Sequence, residues 1–428
     1  MKINKEKLQR QEKVLAKWKA NKCIGVLEAC TGFGKTFVAV LAIKEMNQRF
    51  TQRTTLVVVP TLYLKSQWES EIVNHNLKNI SVMVVNSAVK LDRQCDLLVL
   101  DEIHNYGSLE FIKAFSKIKY SFLLGLTATM ERSDERHHLI SEYAPVIDQI
   151  TLVEALANGY VSKFAVYNIG IELSGDDLVH YQKLNDQFHR YFAWFSHDFK
   201  SAMRALKNNS HCEQLAFRLG KTSVEIKSYA VQFMRNVQAR KKFIYSHKGK
   251  LTLAKEIIEH LNVKTLTFSE TVDFADSLSD SLQEGTSFSY HSKVHKKVKA
   301  EKLASFNTAD STLMTINTAR ALDEGFNVEG VELALICSGT SSSRQDLQRT
   351  GRAIRFQEGK RGLIINLYLK DTQDEKWLRA RQSKATNVNW VNSLEDIFNE
   401  STPNLFKAVN SAKPVHVLRS DRGNSIPN

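Results

Sequence analysis

Over roughly the first 150 residues, short unbroken apolar runs alternate with longer stretches of helical period. The runs are "IGVLEA" (24–29), "TTLVVVP" (54–60), "ISVMVVN" (80–86), "CDLLVLDE" (95–102) and "YSFLLGLTAT" (120–129). None shows the in–out alternation of a half-solvated strand, so each predicts a strand buried on both faces. Between them lie stretches such as "TFVAVLAIKEM" (36–46), rich in good helix formers. Buried strands separated by helices predict a parallel α/β sheet. From about residue 173 to 257 the rhythm stops. That segment has no proline, is helical in composition, and carries the aromatic cluster "FHRYFAWFSHDF" (188–199). The strand pattern resumes at "VKTLTFSE" (263–270), "STLMTIN" (311–317), "VELALICSG" (331–339) and "RGLIINLYL" (361–369). The expected fold class is therefore α/β, with two parallel-sheet domains in tandem and a helical insert. The expected boundaries are 1–152 for the first domain, 153–250 for a linker strand and the insert, 251–400 for the second domain, and 401–428 for a tail that holds three of the five prolines.

Charge changes the picture next. The net charge of +13 favours a polyanionic partner. Two basic clusters, "ARKKFIYSHKGK" (239–250) and "HSKVHKKVKAEK" (291–302), sharpen that expectation, although either also fits a solvated helix face. No apolar run reaches the ~18 residues of a membrane span, so no membrane partner is expected. The start of the chain is charged and lacks a signal-peptide segment, which predicts a cytoplasmic protein, or a nuclear one in a eukaryote. Five scattered cysteines show no metal-ligand spacing and fit reduced thiols.

The candidate chemistry begins at "LEACTGFGKTFVAV" (27–40), where an apolar strand passes through small residues into a helix. Gly32 and Gly34 allow a tight turn that aims N–H groups at an anion, and the helix N-terminus adds its dipole. Thr31 and Phe33 complete the loop. Lys35 is placed to reach the β- and γ-phosphates, and the Thr36 hydroxyl to hold Mg²⁺. The spacing matches GxxxxGK[ST] except at its first position, which is Ala29. Downstream, "LLVLDEIH" (97–104) is an apolar strand ending in two acids. Asp101 suits the Mg²⁺ of a bound nucleotide, and Glu102 suits polarising a water.

DEIH is a variant of the DEAD/DEAH box, and with it the chain resembles a superfamily 2 helicase. Further motifs follow in the family's order: "VVVPTLYLKSQW" (57–68), "GLTATMERSDERH" (125–137), "TLTFSETVDFADSL" (265–278), "TARALDEGFNV" (318–328) and "QDLQRTGRAIR" (345–355). The resemblance implies two RecA-like domains, ATP and Mg²⁺ as cofactors, and hydrolysis coupled to movement along a nucleic-acid strand. It implies strand contacts at Thr61, Lys65 and Thr318, and coupling through His104, Thr127 and Thr129. It also implies nucleotide contacts at Asp323 and Gly325, catalytic roles for Gln348, Arg352 and Arg355 across the interdomain cleft, and an adenine contact at Gln11. The wording of "VVVPTLYLKSQW", "GLTATMERSD" and "ALDEGFNV" leans toward XPB-like and bacteriophage recombination helicases, which act on forked or branched DNA. Little precedes Gln11, so substrate choice is expected elsewhere in the chain. DNA (single-stranded, forked or branched) is the expected partner of an expected monomer. RNA, or a clamp that moves without separating strands, stands as the alternative. In the insert, Trp194 is a candidate for stacking on unpaired bases. The same aromatics equally fit the packing of a helical hairpin.

Overall fold

The computed structural model describes residues 5–50, 52–90, 92–130, 136–308, 310–319, 328, 330–339, 361–382 and 388–399. Two parallel sheets organise the chain, as the unbroken apolar runs require. The first has six strands in the spatial order Ile80–Val84, Thr55–Val59, Leu97–Asp101, Phe122–Thr127, Ile24–Ala29 and Val146–Ile150. Every pairing in it is parallel. Alternate residues of one strand serve opposite cores. Val57, Val59, Leu97 and Val99 face one cluster with the helix Lys35–Arg49, while Leu56, Val58, Leu98 and Leu100 face the other. This double burial is why the sequence shows no alternation.

The helix Lys5–Ala20 closes one side of the sheet. Val14, Leu15 and Trp18 are buried in the core, and Trp18 Nε1 donates to the Leu123 carbonyl at 2.8 Å. Arg10 forks onto Asp148 and donates through Nε to Glu154 at 2.9 Å, while Lys17 reaches Asp148 at 2.7 Å. These bonds tie the helix to the edge strand Val146–Ile150.

The second sheet has seven strands, in the order Ser287–Tyr290, Thr315–Ala319, Thr265–Ser269, Leu333–Ile336, Arg361–Leu369, Lys163–Ile171 and Val388–Val391. The strand Lys163–Ile171, expected as a linker, lies inside this sheet, paired in parallel with Arg361–Leu369 on one side and Val388–Val391 on the other. The helix Lys248–Leu261 buries Ala254, Ile257 and Ile258 against the same sheet.

Between these two elements the insert folds as four helices: Gly175–Ala193, Phe199–Lys207, Asn209–Leu219 and Ser223–Tyr245. Phe233 is the hub of its core. Phe192 stacks on it with centroids 4.9 Å apart, and Phe188, Phe195 and Phe199 surround it at 5.2, 6.2 and 5.8 Å. The longest helix starts at a capping box in which the Thr222 and Glu225 side chains each take the other's backbone N–H. Among the described residues, no helix is long and apolar enough to cross a membrane.

Candidate nucleotide and nucleic-acid site

The glycine loop leaves the C-terminal end of the strand Ile24–Ala29. Ala29 is its last, fully buried residue, and its carbonyl accepts a 3.0 Å bond from Lys35 Nζ. An extended strand residue has no need of glycine, which accounts for the departure at the motif's first position. Gly32 and Gly34 do need it, with φ of 87° and 92°. At Gly34 a Cβ would also fall 2.6 Å from Gln11 Nε2. Phe33 anchors the turn from below. Its ring is fully buried and meets Tyr160 edge-on at 5.8 Å. The N–H groups of Lys35 and Thr36 precede the first donor that the helix takes up, Phe37 N to Gly34 O, so they belong to the open N-terminal turn.

Gln11 does not stand free beside this loop. It is buried, and its amide donates to the Phe33 carbonyl at 2.8 Å. The residue expected at adenine is therefore also a clamp on the loop backbone. One helical turn earlier, Lys7 Nζ donates to the Gly32 carbonyl at 2.7 Å, and burial pulls its pKa down to about 8. Sequence reasoning missed Lys7. Its only signal was the four-residue spacing from Gln11, which places both on one helix face.

Asp101 ends the strand Leu97–Asp101 and is buried. Burial pushes its pKa up. The Trp68 indole, the Lys35 cation and the Glu102 N–H oppose that shift. Trp68 Nε1 donates to Oδ2 at 2.9 Å and Glu102 N to Oδ1 at 3.0 Å. Loop and carboxylate stand at the C-terminal ends of two strands of one sheet, with Phe122–Thr127 between them. Asp101 and Thr36 are hard oxygen donors suited to Mg²⁺. With so few, the ion would complete its shell from phosphate and water.

Glu102 turns the chain through the left-handed region, at φ 48° and ψ 50°, a conformation costly for a side chain with a Cβ. The turn swings His104 under the neighbouring strand. Gly125, on that strand, makes room for the adjacent Ile103, since a Cβ would lie 2.5 Å from Ile103 Cδ1. His104 Nδ1 sits 3.0 Å from Thr127 Oγ1 and 3.4 Å from Glu102 Oε2. The Thr127 hydroxyl gives its one proton to the Thr129 carbonyl at 2.7 Å, so the His104 contact needs a proton on Nδ1. Glu102, His104, Thr127 and Thr129 thus form one chain of contacts. The strand order explains it, because Phe122–Thr127 lies between the strands that carry Asp101 and the glycine loop.

The other expected residues are dispersed. Thr61 caps the helix Leu62–Asn74, accepting from Leu64 N at 3.3 Å, and Lys65 stands one turn on, 3.7 Å from Glu69. Thr318, expected at a strand-binding surface, is interior instead. It is buried and its hydroxyl donates to the Thr267 carbonyl at 2.7 Å, because it lies inside a central strand. Trp194 is half-buried, stacked on Tyr229 at 4.9 Å with Lys221 5.7 Å from its ring, so packing has claimed a face that was a candidate for bases. The most exposed phenylalanine of the insert among the described residues is Phe217, 93% accessible on the helix Asn209–Leu219, while Phe199 is 47% exposed. Asp323, Gly325, Gln348, Arg352 and Arg355 lie outside the described residues.

Comparison with known proteins adds to this geometry. Residues 1–86 match the family described as "Type III restriction enzyme, res subunit", and residues 249–357 match "Helicase conserved C-terminal domain". The chain is 26% identical over 376 residues to the DNA 3'-5' translocase XPB2 of Sulfurisphaera tokodaii, a match covering 84% of this chain and 80% of that one. It is 24% identical over 381 residues to a protein of Haloarcula marismortui provisionally named DNA 3'-5' helicase Rad25, covering 83% of this chain and 51% of the relative. Shorter likeness, 29% over 157 residues, extends to a provisionally named ATP-dependent RNA helicase, QP509L, of African swine fever virus, covering 31% of this chain and 30% of that one. In fold, the chain is similar to the crystal structure of the Pyrococcus furiosus Hef helicase domain, with a TM-score of 0.52 and 16% identity over 86% of this chain and 97% of that one.

Proposed function

The chain belongs to the superfamily 2 helicases, on their XPB-like side, and from that premise we propose that it uses ATP hydrolysis to move 3'-5' along DNA and to open forked or branched duplexes. One observation carries the reading. A glycine-turn lysine and a buried carboxylate stand at the C-terminal ends of strands in one sheet, and a histidine–threonine chain runs from Glu102, next to that carboxylate, to the strand between them.

In this reading Lys35 and the open helix turn hold the β- and γ-phosphates. Asp101 and Thr36 hold Mg²⁺, which, when bound, neutralises the charge that builds on the phosphates. Glu102 orients the attacking water and accepts its proton. His104 ties Glu102 to Thr127 and Thr129, so that a change at the water is felt at the next strand end. Single-stranded DNA is held through its phosphates by α-helix N-termini and by Lys65. Arg352 and Arg355 complete the site by family analogy. The protein acts as a monomer, in the cytoplasm or, in a eukaryotic cell, the nucleus.

The insert has a helical core of its own apart from the two sheets, and its surface supports the branched-substrate part of the reading. Phe217 stands in solvent next to Arg218, with Lys221 just beyond the left-handed Gly220. An exposed aromatic beside cations suits an unpaired base, worth about 1–3 kcal/mol of stacking. RNA is the second reading, favoured by the viral relative over about a third of the chain.

The deciding experiment measures ATP turnover and strand separation on linear, forked and four-way DNA and on matched RNA. Stimulation by single-stranded DNA, with faster opening of forks than of blunt duplexes, is expected. Equal or greater stimulation by RNA would replace the DNA reading, and turnover without strand separation would leave a clamp or a simple translocase.

A further inference from the structure

The helix Leu62–Asn74 touches two places at once. Its first turn is at the surface, where Thr61 caps it, Leu62 is 70% exposed and Lys65 is partly open. Two turns along, Trp68 is 1% exposed within the core that also holds Val57, Val59, Leu97 and Val99. From there its indole reaches Asp101 Oδ2 at 2.9 Å.

An indole N–H is a donor and nothing else. Its bond to a carboxylate therefore does two things: it favours the ionised acid and it fixes one oxygen in direction. The Glu102 N–H fixes the other. With both oxygens held, the lone pairs that remain have set directions. Charge-assisted bonds of this kind are also the strong ones. The ring is locked by close packing on the helix that carries it, so a shift of the helix moves the donor with it.

We propose that Trp68 is the positioning residue through which a strand bound at the first turn of Leu62–Asn74 sets the metal-holding carboxylate of Asp101. The inference rests on the reading of this site as the ATPase of a strand translocase. A phosphate of the strand, drawn to Lys65 and the helix N-terminus, biases the position of the helix. Trp68 passes that bias to Asp101 as a change in the length and angle of one hydrogen bond. Turnover then responds to the strand without any contact between strand and nucleotide.

Trp68→Phe keeps an aromatic ring and deletes the donor. Two readouts follow. The first is the Mg²⁺ dependence of ATP turnover at saturating single-stranded DNA. Its midpoint should rise about tenfold, the scale of one charge-assisted bond, and stimulation by the strand should shrink. DNA affinity in the absence of nucleotide should hold. The second needs no turnover. Of the five indole N–H resonances in ¹⁵N-tryptophan-labelled protein, the one missing from Trp68→Phe belongs to Trp68. It should move when a single-stranded oligonucleotide is added without nucleotide or metal, and Lys65→Ala should blunt that movement. If Trp68→Phe melts early, benzothienylalanine at position 68, which has the outline of tryptophan and no N–H, takes both tests in its place.

An unmoved Trp68 resonance at saturating oligonucleotide overturns the inference. So does a donor-free variant whose Mg²⁺ midpoint and stimulation match the unaltered protein, or one whose turnover falls with the midpoint unchanged. Failure of the underlying reading looks different, since the unaltered protein itself would then show no strand-stimulated turnover.

Discussion

In the first sheet Thr55 is buried at a strand start and Asp148 is paired with Arg10 and Lys17, but the polar side chains around the glycine loop stand at the C-terminal ends of strands. Asp101 closes one strand, Thr127 closes its neighbour, and Lys35 stands just past a third. In the second sheet they lie inside the strands and answer one another. Thr267 donates to Asn317 at 2.8 Å, and Asn317 donates in turn to Ser287 at 2.7 Å. Asn366 donates to Asn168 at 2.9 Å, and Asn168 to Gln382 at 2.7 Å. Lys250, with no exposure, pairs with Asp374, whose Oδ2 also takes the Leu369 N–H at 3.0 Å. The second set is answered mainly within the protein, Lys250 by the charge of a single carboxylate, and its effect is to hold strands and helices in place. The first set is answered only in part, Lys35 by the Ala29 carbonyl and Thr127 by the Thr129 carbonyl. Asp101 takes two N–H bonds against about four lone-pair sites, and the N–H groups of Lys35 and Thr36 belong to the open first turn of their helix. Polar groups that the fold answers only in part mark where a ligand goes, and polar groups it answers mark where the fold is fastened.

That contrast breaks down or sharpens under four tests. The largest effect is expected at the first set. Lys35→Ala removes the cation that faces the phosphates, and nucleic-acid-stimulated turnover should fall to background. Glu102→Gln should bind ATP yet lose about 10²–10⁴ in rate. Both proteins should keep nearly the melting temperature of the unaltered chain. A large drop in melting with Lys35→Ala would make that lysine structural and remove the contrast.

Next comes the second set, where the effect should be on stability. Asp374→Ala strands the Lys250 cation in the interior, at a cost of about 3–5 kcal/mol. Denaturant unfolding measures it. A loss under about 1 kcal/mol would show that water or a neighbour answers the lysine.

Smaller and more selective changes are expected in the insert. Trp194→Ala opens a stacked pair with Tyr229, so melting and every activity should decline together. Phe217→Ala touches an exposed ring and should leave melting and single-strand-stimulated turnover intact while fork opening slows. The reverse pattern would return the strand-contact role to Trp194.

The smallest test is one of pH. His247 Nδ1 accepts the Gly249 N–H at 3.1 Å, and its Nε2 faces Asp177 at 3.2 Å. Burial lowers the His247 pKa more than Asp177 raises it. Its folded pKa therefore lies below its unfolded value of about 6.5, and the unfolded chain binds the proton first. The stability His247 lends is whole above that value and drains as pH falls through it. His247→Asn keeps an acceptor for the cap, so it should flatten the pH dependence of melting between about pH 7 and 5 without a large change at pH 8.

Much of this was legible in the chain because it was local. A strand buried on both faces writes itself as an unbroken apolar run. The glycine turn and the DEIH turn each need particular residues within a few positions of one another. What was hidden depended on partners far away in sequence. The run of Lys163–Ile171 gives no clue that its neighbours are Arg361–Leu369 and Val388–Val391. Thr318 carries a motif's threonine on a strand whose burial is set by the sheet around it. Helical spacing left Trp194 open between surface and core and gave no signal for Phe217. Only the packing around Phe233 tells them apart. Lys7 and Trp68 act on the site through contacts that span 25 and 33 residues.

The place of Lys163–Ile171 also bears on how the protein is made. Lys163 pairs with Arg361, a separation of 361 − 163 = 198 residues. At about 5–20 residues per second of synthesis, the earlier strand leaves the ribosome about 10–40 s before its partner exists. Through that interval its hydrogen-bonding edges and apolar side chains have no native neighbour, while the first sheet, whose strands lie between residues 24 and 150, can already close. Late pairing across a long loop is slow and exposes the chain to aggregation. Recombinant yield should therefore depend on temperature and chaperone supply through the second sheet, and truncations ending before residue 361 should express as a folded first sheet with an insoluble remainder.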